Sequence, residues 1–342
     1  MTTTLRPTVL DRCRAEVLPA LRDAVARLDP LSRAATGYHL GWTEADGTPR
    51  EGDAGKSVRS ALSLLSAELA GAPARIGVPG AVAVELVHNF SLLHDDVMDG
   101  DRTRRHRPTV WCLWGTSNAL LVGDAVLALA GEVLLESPSP TARAATHELL
   151  AATRRLVRGQ VADLDFERRP AVDLQECLDM AEDKTGALLA TSAAIGAVLA
   201  GAPASVVTAL RTYGRQLGLA FQLVDDLLGI WGDPAVTGKP VLADLRTRKK
   251  TLPVTYVLCR DDGAARELAR WYAADPPPQG DPVDQLQHAA DLIEAGGGRA
   301  WAAEEAERRL DRAEGALTGL PLPDGPRSEL IALGRFLVQR ES

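Results

Sequence analysis

Apolar residues make up 46% of this 342-residue chain and aromatic residues 4%, while 46 acidic side chains outnumber 38 basic ones for a formal net charge of −8. The apolar fraction excludes global disorder, and the acidic balance excludes non-specific nucleic-acid binding, which needs a basic footprint; a small anionic ligand in a local basic pocket is still allowed. A core drawn mainly from Ala, Leu and Val, with 4 Phe and 3 Met, favours closely packed helices over sheets.

In chain order, Leu10, Val17, Leu18, Leu21, Val25 and Leu28 recur at helical spacing and predict a first helix over 8–29. Residues 36–55 carry five glycines and a proline and read as a loop. A helix follows from about 56 to Gly71, and a long apolar one over 79–99 ends in carboxylates. Residues 100–110 read as a highly basic loop. Further helices are expected at 116–136, 141–168, 173–201, 204–232, 249–260, 263–273, 283–295, 298–318 and 327–339. They are separated by SPSP, GAPAS, ADPPPQGDP and LPLPDGP. No strand alternation persists, so the predicted class is all-α, with 1–342 as a single domain. No run of about 18 apolar residues predicts a transmembrane segment, and the N-terminal residues lack the apolar stretch of a signal peptide. Cys13, Cys112, Cys177 and Cys259 are far apart, without metal-ligand spacing, and fit the reduced thiols of a cytoplasmic protein.

One internal echo carries the chemistry. LLHDDVMD at 92–99 resembles LVDDLLG at 223–229, and each ends an apolar helix with adjacent aspartates. Asp95 and Asp99 are i and i+4, about 6 Å apart on one helix face. Like charges at that spacing are destabilising without a counter-cation, and Mg²⁺ is suited to one or two carboxylates plus substrate phosphates. Arg102, Arg104, Arg105 and Arg107 follow at once, and guanidinium forks match phosphate oxygens. Gln222, Asp225 and Asp226 again share a face, but Gly229 stands where the echo calls for a last carboxylate. Two such helices facing each other across a pocket would make a diphosphate site. Lys184, Lys239 and Lys249 supply further cations, and Lys56, Arg59, His88 and Arg105 together form a second candidate anion site. His88 lies two turns, about 10 Å, before Asp95 on the same face.

Together, GKxxR, HxxSLxHDDxMDxxxxRR, KTG, FQxxDD, TGKP and KKTLP, in this order over about 50–255, resemble the trans-isoprenyl diphosphate synthase (polyprenyl synthetase) family. The resemblance implies an all-helical bundle, the isoprenoid synthase fold, around a deep central cavity, a homodimer and three Mg²⁺ ions. It implies Mg²⁺ ligation by Asp95, Asp99 and Asp225 with Asp96 and Asp226 supporting. Arg104, Lys184, Thr185, Gln222, Lys239 and Lys249 would hold the allylic diphosphate (dimethylallyl, geranyl or farnesyl). Lys56, Arg59, His88 and Arg105 would hold isopentenyl diphosphate. Gly159, Gln160 and Asp163, as GQxxD, resemble a segment lining the cavity. The chain departs from the family at Ala54 and Ser60 in the first motif, at Gly229, and at His106, where the family has glycine after the arginine pair.

The implied reaction is a Mg²⁺-dependent head-to-tail condensation. Ser91, four residues before Asp95, sits beneath the carboxylates on their face, and its small side chain leaves room for a growing chain. Phe90 is rotated about 140° from Asp95. With Val87 these residues form the expected chain-length set, and the family pattern predicts geranylgeranyl diphosphate, a twenty-carbon product. A farnesyl or longer-chain synthase, a terpene cyclase on the same fold and a non-catalytic partner subunit are the alternatives. Retention of Lys56, Arg59, His88 and Arg105 favours condensation over cyclisation, and the intact first aspartate motif argues against a non-catalytic subunit.

Overall fold

The computed structural model describes residues 7–50, 57–233, 241–274, 277 and 280–338, so Lys56 and Lys239 lie outside the described residues. The chain divides into two compact units, one of Met1–Thr153, Leu188–Gly214 and Leu317–Phe336, the other of Arg154–Ala187, Arg215–Ala316 and Leu337–Ser342. The first contains helices α1 (Thr8–Val25), α2 (Pro30–His39), α3 (Val58–Leu69), α4 (Val78–Met98), α5 (Val110–Trp114) and α6 (Thr116–Leu135). Helices α7 (Ala142–Arg168), α9 (Ala187–Leu199), α10 (Ala204–Trp231) and α16 (Asp324–Val338) belong in part to each. The second unit adds α8 (Leu174–Ala181), α11 (Ala243–Arg246), α12 (Leu252–Leu258), α13 (Gly263–Ala273), α14 (Val283–Ala295) and α15 (Gly298–Gly315).

The all-α expectation holds, and most predicted helices lie within a few residues of their expected bounds. Among the described residues the paired strands are confined to one two-residue ribbon, Thr103–Arg104 (β1) with Arg107–Pro108 (β2), inside the segment expected to be a loop. Helix α2 overlaps the expected loop over 36–55 and begins at Pro30, directly after the expected end of the first helix, which itself stops at Val25. Its signal is local: the Asp29 carboxylate accepts from Leu31 N and Ser32 N, and Pro30 stands at the first helical position. Gly37 inside it and Gly41 just after it obscure that start. The expected helix over 173–201 is continuous but contains a π turn at Glu182–Gly186. Such turns concentrate at functional sites.

Few aromatics are needed because small residues let backbones approach. Gly196 of α9 has no room for a side chain, since a Cβ there would lie 2.0 Å from Ser63 O of α3. In the first unit Leu62, Leu64, Leu65, Val84, Leu86 and Val87 are fully buried or nearly so, all on α3 and α4. In the second, Ile230, Leu245, Val254, Val257, Leu268 and Ile293 form one core cluster. The segment Ala74–Met98 and helix α6 are long and apolar enough to cross a membrane by length and composition, but 67% of the apolar window in the first is buried inside the protein. Helix α6 instead exposes Leu120, Leu121 and Leu135.

Candidate active site

In the first unit, the carboxylates sit at the C-terminal end of α4, where the helix dipole disfavours negative charge and a cation is needed. The neighbouring aspartates divide the work. Asp95 is partly accessible and Asp99 exposed, whereas Asp96 is only 1% exposed. Arg104 grips Asp96 Oδ1 through Nε at 2.8 Å and Nη2 at 2.7 Å. Burial pulls the Asp96 carboxyl above the usual carboxylate range despite that guanidinium, and its Oδ2 is buried without a hydrogen-bond partner. Arg104 reaches back because Arg105 and His106 both take left-handed backbone, with φ of 51° and 61°, as a tight two-residue hairpin turn requires. This explains why glycine suits position 106.

Beside the ribbon lies a cavity of about 190 Å³ lined by His39, Arg50, Asp96, Arg104, Arg105 and Arg107, among others. Arg107 is spent on structure, donating to Tyr38 O at 2.9 Å and Thr43 O at 2.8 Å. Burial, then Arg104, Arg105 and Arg107, push His39 down to about 3. Burial, then Arg59, Arg105, Arg104 and His39, hold His88 well below its ordinary value. Both imidazoles are therefore neutral near pH 7 and can donate a hydrogen bond without adding charge. Sequence reasoning missed His39, whose only signal is its type beside a glycine-rich stretch. It also missed Glu85, which accepts from Ser60 Oγ at 3.1 Å and lies in the field of Arg59.

Of the chain-length set, Val87 is fully buried and Phe90 6% exposed. The Phe90 ring stands edge-on to His94 with centroids 4.7 Å apart. His94 Nε2 lies 3.0 Å from Leu120 O and against Gly123, where a Cβ would come within 2.3 Å of that nitrogen. Ser91 Oγ donates to His88 O at 2.8 Å, so its hydroxyl turns back on its own helix.

The second unit repeats the division of labour. Asp225 is exposed and Asp226 buried. Thr185 Oγ1 donates to Gln222 Oε1 at 2.6 Å, Gln222 Nε2 to Asp226 Oδ1 at 2.8 Å, and Leu252 N to Asp226 Oδ2 at 2.9 Å. Burial nonetheless pushes Asp226 up to about 7, with Asp244 and Asp225 adding to it. The π turn is anchored by ion pairs from Arg155 and Arg158 to Asp183, and it seats Lys184 against α7. That approach requires Gly159, because a Cβ there would lie 2.3 Å from Lys184 N. Lys184 Nζ and Lys249 Nζ converge on Asp163 Oδ2 at 2.5 and 3.1 Å. Next to them Gln160, 5% exposed, has no partner for either amide atom.

The donor set suits Mg²⁺. Among the described residues no three His, Cys, Asp or Glu side chains converge as a self-sufficient metal cage. Exposed carboxylates beside buried, hydrogen-bonded ones fit an ion that keeps its waters and shares substrate phosphate oxygens. A side chain at Gly229 would collide with Asp244, whose Oδ2 lies 2.0 Å from where a Cβ would stand.

The sequence pattern of the Polyprenyl synthetase family matches residues 51–289. The chain is 53% identical over 334 residues to the (2E,6E)-farnesyl diphosphate synthase of Mycobacterium tuberculosis, covering 98% of this chain and 93% of that one. It is 44% identical over 336 residues to a geranylgeranyl diphosphate synthase of the same organism, covering 97% and 93%. The structure superposes on a polyprenyl synthetase from Streptomyces coelicolor A3(2) with a TM-score of 0.93 at 50% identity, covering 97% of this chain and 99% of that one. Fold and motifs together define a trans-prenyltransferase of the head-to-tail chain-elongating class. The chain belongs to the polyprenyl synthetase family.

Proposed function

We propose that this chain condenses isopentenyl diphosphate with allylic diphosphates to make geranylgeranyl diphosphate, acting as a single synthase domain, a homodimer and a cytoplasmic enzyme. The observation that carries the reading is the repeated pair: an accessible aspartate beside a buried, hydrogen-bonded one, at Asp95–Asp96 and again at Asp225–Asp226. Asp95, Asp99 and Asp225 are the Mg²⁺ ligands, with three ions per active site. When bound, Mg²⁺ neutralises charge on the diphosphate and so eases loss of the leaving group.

Every other task falls to the chain. Arg104, Lys184, Lys239, Lys249 and the Thr185–Gln222 pair hold the allylic diphosphate, and their fixed charges stabilise what develops on the leaving oxygen. Lys56, Arg59, His88 and Arg105 hold isopentenyl diphosphate with its double bond toward the allylic carbon, which supplies proximity. Thr185 and Gln222 already donate to oxygens of the chain, so their positions are set before substrate arrives. Proton loss from the condensed product regenerates an allylic diphosphate, with released diphosphate as the base. Exposed Leu120, Leu121 and Leu135 on α6 support a covering second copy, and the free cysteines suit a reducing compartment.

The small Ser91 beneath the first motif favours a twenty-carbon product. A fifteen-carbon product is the second reading, favoured by the 53% identity to a farnesyl diphosphate synthase. The metal assignment is tested by Asp95→Ala and Asp225→Ala, each expected to abolish Mg²⁺-dependent condensation while leaving the metal-free melting temperature near that of the wild type. Full activity in either variant overturns it.

A further inference from the structure

The two residues before Lys184 are both acidic, Glu182 and Asp183, and they open the π turn. Such a turn is rare and appears mostly as a single turn within an α-helix. Here four consecutive side chains of the turn are each claimed by a neighbouring helix of the second unit. Arg155 of α7 donates through Nη2 to Glu182 Oε1 at 2.9 Å and through Nε to Asp183 Oδ1 at 2.8 Å. Arg158 donates from Nε to the other Asp183 oxygen. Lys184 is taken by Asp163 of α7, and Thr185 by Gln222 of α10. Arg215, seven residues before Gln222 on α10, lies 3.7 Å from Glu182 Oε2.

The grip from α7 is a single stripe. Arg155, Gly159 and Asp163 are spaced i, i+4 and i+8 and share one face of the helix. Along that face stand a guanidinium, a gap and a carboxylate. The π turn answers with the Asp183 carboxylate, the Lys184 backbone nitrogen over the gap, and the Lys184 ammonium group. Asp183 is 6% exposed, so loss of its partner leaves a buried charge uncompensated. Burial pulls its carboxyl up, but Arg158 and Arg155 outweigh that and hold it below the usual carboxylate range. Successive helical residues point about 100° apart. A turn that relaxed by one residue would therefore swing Lys184 away from Asp163 and Thr185 away from Gln222.

We propose that Asp183 and Arg155 are positioning residues: their ion pair fixes the register of the π turn and so aims Lys184 and the Thr185–Gln222 pair at the allylic diphosphate. The inference rests on the function proposed above for Lys184, Thr185 and Gln222. Asp183 and Arg155 touch no substrate and act only through the turn. The Arg158 side chain is 71% exposed, which leaves the Arg155 contacts to carry the latch. The residues proposed for isopentenyl diphosphate all belong to the first unit, and the latch contacts none of them. Its loss is therefore felt on one substrate and not the other.

The test is steady-state incorporation of labelled isopentenyl diphosphate by the full chain with Mg²⁺ and geranyl diphosphate, read beside the metal-free melting temperature. Asp183→Asn and Arg155→Gln are each expected to lower kcat about 10- to 100-fold, the scale of a small misplacement of positioned groups, and to raise the KM of the allylic diphosphate but not that of isopentenyl diphosphate. Arg155→Lys keeps the charge and should retain more activity than Arg155→Gln. Should Asp183→Asn fail to fold, the two Arg155 variants, at a side chain 37% exposed, carry the same test. A lowered melting temperature with kcat and both KM values unchanged, equal rises in both KM values, or Arg155→Lys no better than Arg155→Gln overturns the latch while leaving the site reading intact. Wild-type protein that incorporates no label with any allylic primer overturns the site reading together with the latch.

Discussion

Asp163 Oδ2 accepts a hydrogen bond from Lys184 Nζ at 2.5 Å. The same oxygen lies 3.1 Å from Lys249 Nζ. Two lysines proposed for the allylic diphosphate are therefore collected on one buried carboxylate whose neighbours are 21 and 86 residues away in the chain. Burial pulls the Asp163 carboxyl up, but the two ammonium groups outweigh it and leave the group below the usual carboxylate range. Asp163→Asn is expected to lower metal-free stability by about 2–3 kcal/mol, less than a fully buried pair because both lysines are partly exposed. Inorganic diphosphate should then raise the melting temperature of the variant more than that of the wild type, because it gives the released ammonium groups a new partner. Equal shifts in the two proteins would refute the anchor.

The hairpin turn at Arg105–His106 makes an independent prediction. His106 is a non-glycine residue at φ 61°, a conformation that costs an L-residue about 1–2 kcal/mol. His106→Gly relieves part of that strain and is expected to stabilise the protein by about 1 kcal/mol in denaturant unfolding, after glycine's extra unfolded-state entropy is subtracted. A loss of stability would mean that the His106 side chain makes compensating contacts.

How far the site was legible depended on sequence distance. Asp95, Asp96 and Asp99 lie within five residues at the end of one helix, so spacing alone put Asp95 and Asp99 on one face. The same held for Gln222, Asp225 and Asp226. Which aspartate of each pair is buried was not legible from spacing, because Asp96 is claimed by Arg104 across a hairpin and Asp226 by Leu252 N, 26 residues on. The fold followed the same rule. Long amphipathic helices were evident from periodicity, while the two-residue ribbon is set by two left-handed residues that no propensity marks. The π turn at Lys184 depends on Gly159 of another helix, and the close approach of Asp244 on the absence of a side chain at Gly229. Such contacts exist only after the chain has folded.

Ser91 tests the chain-length assignment. Its side chain is small and turned back to His88 O, while Phe90 is braced by His94. Ser91→Phe places an aromatic ring one turn below Asp95 and is expected to shift products from twenty toward fifteen carbons in a radiolabelled product analysis. An unchanged product profile would remove Ser91 from the cavity floor.

Protonation of buried histidine gives a stability signature in acid. Folding lowers His39 from 6.5 to about 3, so the folded state favours the neutral ring. That contribution is fully present above pH 6.5 and is lost as pH falls from 6.5 toward about 3. His88 acts in the same direction, while Glu85, raised by burial, acts in the opposite one. The slope from each histidine is at most about 1.4 kcal/mol per pH unit. His39→Gln is expected to flatten the fall in unfolding free energy between pH 6.5 and 4.5 relative to the wild type. An identical slope in the two proteins would show that His39 does not carry it.

The central claim is that two aspartate motifs, with the arginines and lysines around them, support addition of isopentenyl units to an allylic primer. Labelled isopentenyl diphosphate incubated with the purified chain, Mg²⁺ and dimethylallyl, geranyl or farnesyl diphosphate in turn measures this directly. Incorporation of label into a twenty-carbon diphosphate, abolished by chelating the metal, is the predicted result. No incorporation with any primer, or release of a hydrocarbon from an allylic diphosphate alone, would contradict it.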